Sequence, residues 1–267
     1  MLAATGPFHG RPLDEAFSAA AEAGYDGVEL MVTTDRATQD PVEINRLAAR
    51  WDQPVKALHG PFLLLTRRVF GTDLKTKVTR SVELAEAVGA SVVVTHAPFR
   101  WEVPYMDWLP SEILRVREEQ GVTVTVENMF PVIVRGMRLG FHAGMELAGL
   151  RRFRYITLDT SHLAVADVDL MEAWDIVGDQ TVHIHAANNA GNGRDSHAPL
   201  EVGVVPVTRF LEELGARGFT GAVTLEINFR PLLSDRIQLV AAMRHELELA
   251  RRCLAKGRRR AEEAASA

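Results

Sequence analysis

The chain has one cysteine, Cys253, so no disulfide can form within it. A chain with no disulfide framework fits a reducing compartment, and the cytoplasm is the expectation. Cys253 lies beside Arg251 and Arg252 in a helix-like stretch, where helix packing is its simplest role. Long apolar runs are also missing. None approaches the roughly 20 residues needed to cross a bilayer, and the opening MLAATGPFHG has neither the basic segment nor the apolar core of a secretory signal. Nor is there an excess of positive charge. Lys and Arg number 30 against 35 Asp and Glu, a formal net charge of -5, which argues against nucleic acid as a partner unless a local patch supplies the cations.

What is present is an ordinary globular composition, 47% hydrophobic and 24% charged, over 267 residues. Strand-like runs fall at 2–5, 27–32, 55–59, 91–96, 122–127, 155–159, 181–186 and 222–227. Helix-like stretches lie between them, near 12–23, 41–52, 73–89, 110–119, 138–149, 169–177, 206–216 and 235–256. This alternation over roughly 250 residues is the arithmetic of an α/β protein folded as a (β/α)8 TIM barrel. The competing doubly wound sheet would be expected to carry a glycine-rich phosphate turn after its first strand. The run here, TGPFHG, lacks that spacing. A single domain over 1–258 is expected, with the polar, alanine-rich stretch 259–267 fraying as a tail.

Six of the strand-like runs have a metal-ligand type as their last or next-to-last residue: His59, His96, Glu127, Asp159, His185 and Glu226. Period-two alternation puts Glu127 on one face with Thr125 and Thr123, and Glu226 on one with Thr224 and Ala222. The opposite faces carry Val124 and Val126, or Val223, Leu225 and Ile227. In a barrel the first face points inward and gathers these side chains at one mouth. Each taken alone reads as a hydrogen-bonded histidine or a helix cap. Together they are hard to explain that way, because unpaired charges buried side by side are costly, and a divalent cation offsets that cost. Further ligand types follow in the loops. His162 stands three residues after Asp159, so the two converge only if the chain turns at once. Asp195 and His197 form a D-x-H, whose side chains share a side on extended backbone. His183 shares the inward face with His185 but lies deeper, which suits a structural or supporting role. His9, His142 and His245 have no supporting neighbours.

The pattern VEN…LDTSH…HIHAANN…GRDSH…LEIN resembles the xylose isomerase-like TIM-barrel superfamily, over nearly the whole chain. That group includes sugar and sugar-phosphate isomerases and epimerases and the endonuclease IV apurinic-site nucleases. In the epimerase-like members, the resemblance implies one divalent ion held by Glu127, Asp159, His185 and Glu226. Glu127 and Glu226 would double as the acid–base pair, and His162 would contact substrate oxygens. In the endonuclease pattern three zinc ions are implied: one at His59, His96 and Glu127, one at the four core residues, and one at His162, Asp195 and His197.

Two reactions follow. The first is isomerisation or epimerisation of a small sugar, sugar phosphate or related polyol. Aromatic residues in the post-strand loops (Phe8, Phe62, Phe99, Trp101, Phe130) would wall a small pocket, and Arg194 and Asn188 would join His162, Trp101 and Phe8 as substrate contacts. The second is multi-zinc hydrolysis of a phosphate ester, for which Arg67, Arg68, Arg100 and Arg194 are the few candidate phosphate contacts. A non-enzymatic sugar-binding protein is a third reading, and it leaves two inward glutamates at a metal unexplained. The donor set suits zinc or manganese first, with magnesium, cobalt or iron also accommodated, as one to three ions. The expected partner is a small carbohydrate, with no membrane and with a homo-oligomer left open.

Overall fold

The computed structural model describes residues 1–63, 66–135, 137–143 and 146–266. Eight parallel strands close into a barrel: β1 (Leu2–Ala4), β2 (Val28–Met31), β3 (Val55–His59), β4 (Val92–His96), β5 (Thr123–Glu127), β8 (Ile156–Asp159), β9 (Thr181–Ala186) and β10 (Ala222–Leu225), with β10 paired back to β1. All eight coincide with the runs read from the sequence. Around them lie α1 (Leu13–Ala23), α2 (Pro41–Trp51), α3 (Leu74–Val88), α4 (Val103–Gln120), α7 (Leu170–Val177), α8 (Val207–Ala216) and α9 (Arg236–Ser266).

Local chemistry sets these boundaries. Asp40 and Asp73 accept backbone N–H groups of Val42 and Thr76 and so cap α2 and α3. Gly24 and Gly89 end α1 and α3 in the left-handed region, at φ 90° and 75°. The main apolar layer lies between barrel and helices, where Val93, Val124, Val126, Leu158 and Ile184 are fully buried under residues such as Phe17, Ile113 and Phe210. The inner face is polar, and Thr125 Oγ1 meets Thr157 Oγ1 at 2.6 Å.

Three segments differ from expectation. The stretch 138–149 is not one helix. Its first two residues belong to β7 (Met137–Leu139), which pairs with the preceding β6 (Val132–Val134) in a hairpin, and the short α5 (Leu147–Leu150) closes it; residues 144 and 145 of that stretch lie outside the described residues. The apolar residues Val132, Ile133, Met137 and Leu139 are exposed on this hairpin. Helix α4 starts seven residues before the stretch 110–119, with Pro104 in its first turn and Pro110 inside it. Finally, α9 continues through Ser266, beyond the residue 258 boundary. Lys256 pairs with Glu212 and Arg260 with Glu213, tying the extension to α8. Ala267, the last residue of the expected tail, lies outside the described residues.

Candidate metal centre

Barrel register delivers the ligand types to the mouth formed by the C-terminal strand ends, where TIM-barrel active sites are built. His96 is registered beside Glu127, and Asp159 and Thr224 lie on either side of His185. The side chains converge on one nitrogen. His185 Nδ1 is 2.8 Å from Glu127 Oε1, 3.0 Å from Glu226 Oε2 and 3.7 Å from Asp159 Oδ2. One donor atom from each of Glu127, Asp159, His185 and Glu226 fits within a 4.8 Å span. Glu127 and Asp159 are buried, His185 is fully so, and Glu226 is reached at the edge of the mouth.

The turn needed to bring His162 back is made by a helix absent from the sequence reading, α6 (Thr160–Ala166). Asp159 caps it: Oδ1 accepts the backbone N–H of His162 at 2.7 Å, while Oδ2 has no hydrogen-bond partner. Asn128 fixes this strand end by donating to the Asp159 carbonyl and accepting the Asp159 N–H. Asp195 and His197 do converge, with Oδ2 2.7 Å from His197 Nε2, but not on extended backbone. His197 sits at φ 43°, and this left-handed kink turns its ring back toward Asp195. Asp195 Oδ2 is also 3.3 Å from His162 Nε2, and Oδ1 accepts from Ser161. On the other side, Glu127 Oε2 lies 3.4 Å from His59 Nε2 and 3.6 Å from His96 Nε2. The nine ligand types read from the sequence therefore form one connected cluster.

Backbone carbonyls orient two of the rings. His59 Nδ1 donates to the Gly60 carbonyl at 3.1 Å and His162 Nδ1 to the Asn128 carbonyl at 2.8 Å, since a carbonyl can only accept. Both rings thus present Nε2 to the interior, an outer-sphere arrangement typical of metal-binding histidines. Burial would hold a carboxylate neutral, yet the histidines, His185 foremost, keep Glu127 well below the usual carboxylate range. Burial opposes charge on His185 too, but Glu29, Glu226 and Glu127 raise it well above an ordinary histidine. His162 is raised against burial by Asp159 and Asp195, and His197 is raised against burial to about 9 by Glu226 and Asp195. Burial wins at His96, which falls to about 3 and is neutral at pH 7. Positive charge among these carboxylates is carried by histidine protons, which a divalent cation would displace. The buried Glu127 Oε2 and Asp159 Oδ2, without hydrogen-bond partners, and the mixed nitrogen–carboxylate donor set fit such an ion.

The proposed substrate contacts fare unevenly. A cavity of about 190 Å³ opens beside the cluster, lined by Met31, Asp195, His197, Glu226, Asn228 and Arg230 among others. Phe8 is not in its wall but packed in the core, at 3% exposure. Trp101 is exposed and stacked on Phe99 with ring centroids 4.8 Å apart, also outside that wall. Asn188 is committed to the backbone: Nδ2 donates to the Leu200 and Val205 carbonyls, and Oδ1 accepts from Asn189 and Val205. Arg194 is exposed and its carbonyl accepts from Asn189, while the arginine in the cavity wall is Arg230. Phe62 and Phe130 do reach the site, against His96 and His162. His142, expected to be incidental, bonds the Ala97 carbonyl and stacks on Phe99.

The residue missed outright is Glu29. It lies within β2, 3% exposed, and its Oε1 is 2.9 Å from His185 Nε2. An acid between Val28 and Leu30 in an apolar strand is the available signal, but attention to strand ends passes over it.

No helix among the described residues is long and apolar enough to cross a membrane. A family model described as xylose isomerase-like TIM barrel matches residues 17–253. The uncharacterized protein Rv0498 of Mycobacterium tuberculosis is 33% identical over 237 residues, covering 80% of this chain and 84% of its own. Among solved structures, the 3-keto-D-glucoside 4-epimerase YcjR from E. coli superposes with a TM-score of 0.68 at 20% identity, over 94% of this chain and 98% of that one. An AP endonuclease, family 2, from Brucella melitensis superposes with a TM-score of 0.65 at 20% identity, over 85% and 92%. Closed barrel, ligand-bearing mouth and family match agree: the chain belongs to the xylose isomerase-like TIM-barrel family.

Proposed function

We propose that this protein is a divalent-metal-dependent isomerase or epimerase acting on a small sugar, sugar phosphate or related polyol. The observation that carries the reading is the pair of carboxylates, Glu127 and Glu226, set 2.8 and 3.0 Å from the same His185 nitrogen. Glu127, Asp159, His185 and Glu226 would hold the ion. A zinc or manganese ion there would supply Lewis-acid polarisation of a substrate carbonyl. One glutamate removes the proton from the carbon beside that carbonyl, and the other returns it to the opposite face or to the neighbouring carbon. The cavity of about 190 Å³ suits a small substrate, and Arg230 in its wall suits a phosphate or carboxylate on it. His162, held by the Asn128 carbonyl, orients substrate oxygens.

The test is solvent-deuterium exchange. The manganese-loaded protein is incubated with a panel of ketoses and ketose phosphates in D2O, and carbon-bound deuterium is read by NMR. Exchange is expected with wild type and lost in Glu127→Gln and Glu226→Gln. Full exchange by both variants would remove the glutamates from the role given them.

A second reading, a multi-zinc phosphoesterase, is favoured by the outer donors. Glu127 Oε2 faces His59 and His96, and Asp195 Oδ2 lies between His162 and His197. Close to three zinc ions per chain by elemental analysis, together with cleavage of an abasic oligonucleotide, would put this reading first. The net charge of -5 weighs against a nucleic-acid substrate.

A further inference from the structure

We infer that Arg230, Asn228 and Ser196 form an oxyanion subsite at the rim of the cavity, so that the substrate is a small sugar carrying a phosphate or carboxylate at the end remote from its carbonyl; this rests on the sugar-enzyme reading above and narrows it to one substrate class. The three residues line the same cavity as Glu226, Asp195 and His197. Glu226 belongs to the inner wall, its side chain 13% exposed and in contact with buried His185. Asn228 and Arg230 are exposed at the rim.

The rim is rich in unused donors. Arg230 brings five guanidinium N–H groups, Asn228 an amide NH2 and Ser196 a hydroxyl. Among the described residues none of these donors has an acceptor. Ser196 Oγ and Asn228 Oδ1 instead accept the backbone N–H groups of Ala190 and Arg230, at 2.9 and 3.2 Å. Arg230 shares the cavity with two carboxylates and pairs with neither, because Glu226 is turned to His185 and Asp195 to His162 and His197. Its backbone is held on both sides. Phe229, 5% exposed, anchors the chain in the core just before it, and Pro231 follows with a fixed φ. The Asn228 N–H donates to the His197 carbonyl at 2.7 Å. That bond ties the loop after β10 to the loop carrying Asp195, Ser196 and His197, so the donors and the metal-ligand cluster are held together. An anion entering this cavity meets the charges of Asp195 and Glu226, and a facing cation offsets them. A guanidinium does so with two parallel hydrogen bonds to a phosphate or carboxylate. A neutral sugar gives Arg230 no such partner. The rim position keeps the anion away from the inner wall, where the reacting carbonyl would lie.

The experiment is calorimetric titration of the manganese-loaded protein with D-arabitol, D-arabitol 5-phosphate and D-arabinonate, none of which has a carbonyl to react. Wild type is expected to bind at least one of the two anions about 10–100-fold more tightly than arabitol, the range of a charged hydrogen-bonded contact. The tighter of the two identifies the anion. Arg230→Gln is expected to lose that preference and keep its affinity for arabitol. Metal-stripped wild type should still bind that anion more tightly than arabitol, which separates the rim from the ion without any substitution. A preference that survives Arg230→Gln, or that vanishes when the metal is removed, places the anion on the metal and overturns the inference. Equal wild-type affinities, or no binding of either anion, overturn it as well. The sugar-enzyme reading fails separately: an intact anion preference with no deuterium exchange from any ketose or ketose phosphate would leave the subsite without the proposed reaction.

Discussion

Lys77 gives the sharpest stability prediction. It is a buried lysine on α3, 3% exposed, and its ammonium donates to the Pro61, Thr66 and Val69 carbonyls at 2.8, 3.0 and 2.7 Å. An ammonium has three N–H donors, and here each finds one acceptor. Those acceptors all lie in the connection after β3, which begins beside His59 and carries Phe62 against His96. Lys77→Met keeps the stem and removes the donors. Leaving a buried acceptor unsatisfied costs roughly 1–3 kcal/mol. The Thr66 carbonyl also accepts the Val69 N–H, so two acceptors, those of Pro61 and Val69, lose their donor; with partial relaxation of the loop and relief from burying a charge this gives about 2 kcal/mol in total. For a chain of this size that is roughly 4–8 °C in melting temperature. The assay is thermal and urea unfolding of the metal-stripped protein, with Arg80→Met as the control. Arg80 is an exposed residue of the same helix whose pair with Glu83 spans 3.8 Å, so its loss should stay within about 0.5 kcal/mol. If Lys77→Met is as mild as Arg80→Met, the lysine does not hold the loop.

Other predictions follow from packing and charge. Gly257 in α9 lies against α8, where an added Cβ would collide with the Glu212 carbonyl; Gly257→Ala should therefore destabilise by about 1–3 kcal/mol in urea unfolding. Asp26 is exposed, and what desolvation it has would raise its carboxyl, but hydrogen bonds and charge from the N-terminal ammonium and Arg251 lower it below its ordinary value. A depressed carboxyl contributes stability above its unfolded pKa, and that contribution is lost as pH falls through the folded value. The melting-temperature gap between wild type and Asp26→Asn should accordingly be full near pH 6 and close as the pH drops below about 4. Metal loading should release protons, because His185, His162 and His197 are held protonated by their carboxylate neighbours. Zinc titration in two buffers of different ionisation enthalpy checks this, and identical heats in both would contradict it.

Much of the fold is legible in the sequence because a barrel strand records its two faces in alternate residues. Thr123, Thr125 and Glu127 read inward and Val124 and Val126 outward, and the structure keeps that division. Ligand types at strand ends are visible for the same reason, since the inward face continues into the mouth. What escaped depends on contacts distant in sequence. Glu29 sits inside a strand rather than at its end, and only closure of the barrel brings it to His185 and Thr224. Helix α6 has seven residues, too few for a periodic signal, and its capping residue, Asp159, is also a ligand type, so the cap alone does not announce a helix. The hairpin β6–β7 has strands of three residues, too short for a period-two signal, and its exposed apolar side chains do not mark a buried face. Asn188 looked like a polar loop residue open to substrate, yet each of its polar atoms is taken by backbone groups up to 17 positions away.

The claim on which the rest depends is that Glu127, Asp159, His185 and Glu226 hold a divalent ion. Crystals grown with zinc, with anomalous data collected at the zinc edge, test it most directly. The account predicts a peak with His185 Nδ1 and oxygens of the three carboxylates at about 2.0–2.2 Å. Zinc found elsewhere on the protein while this mouth stays empty would contradict it.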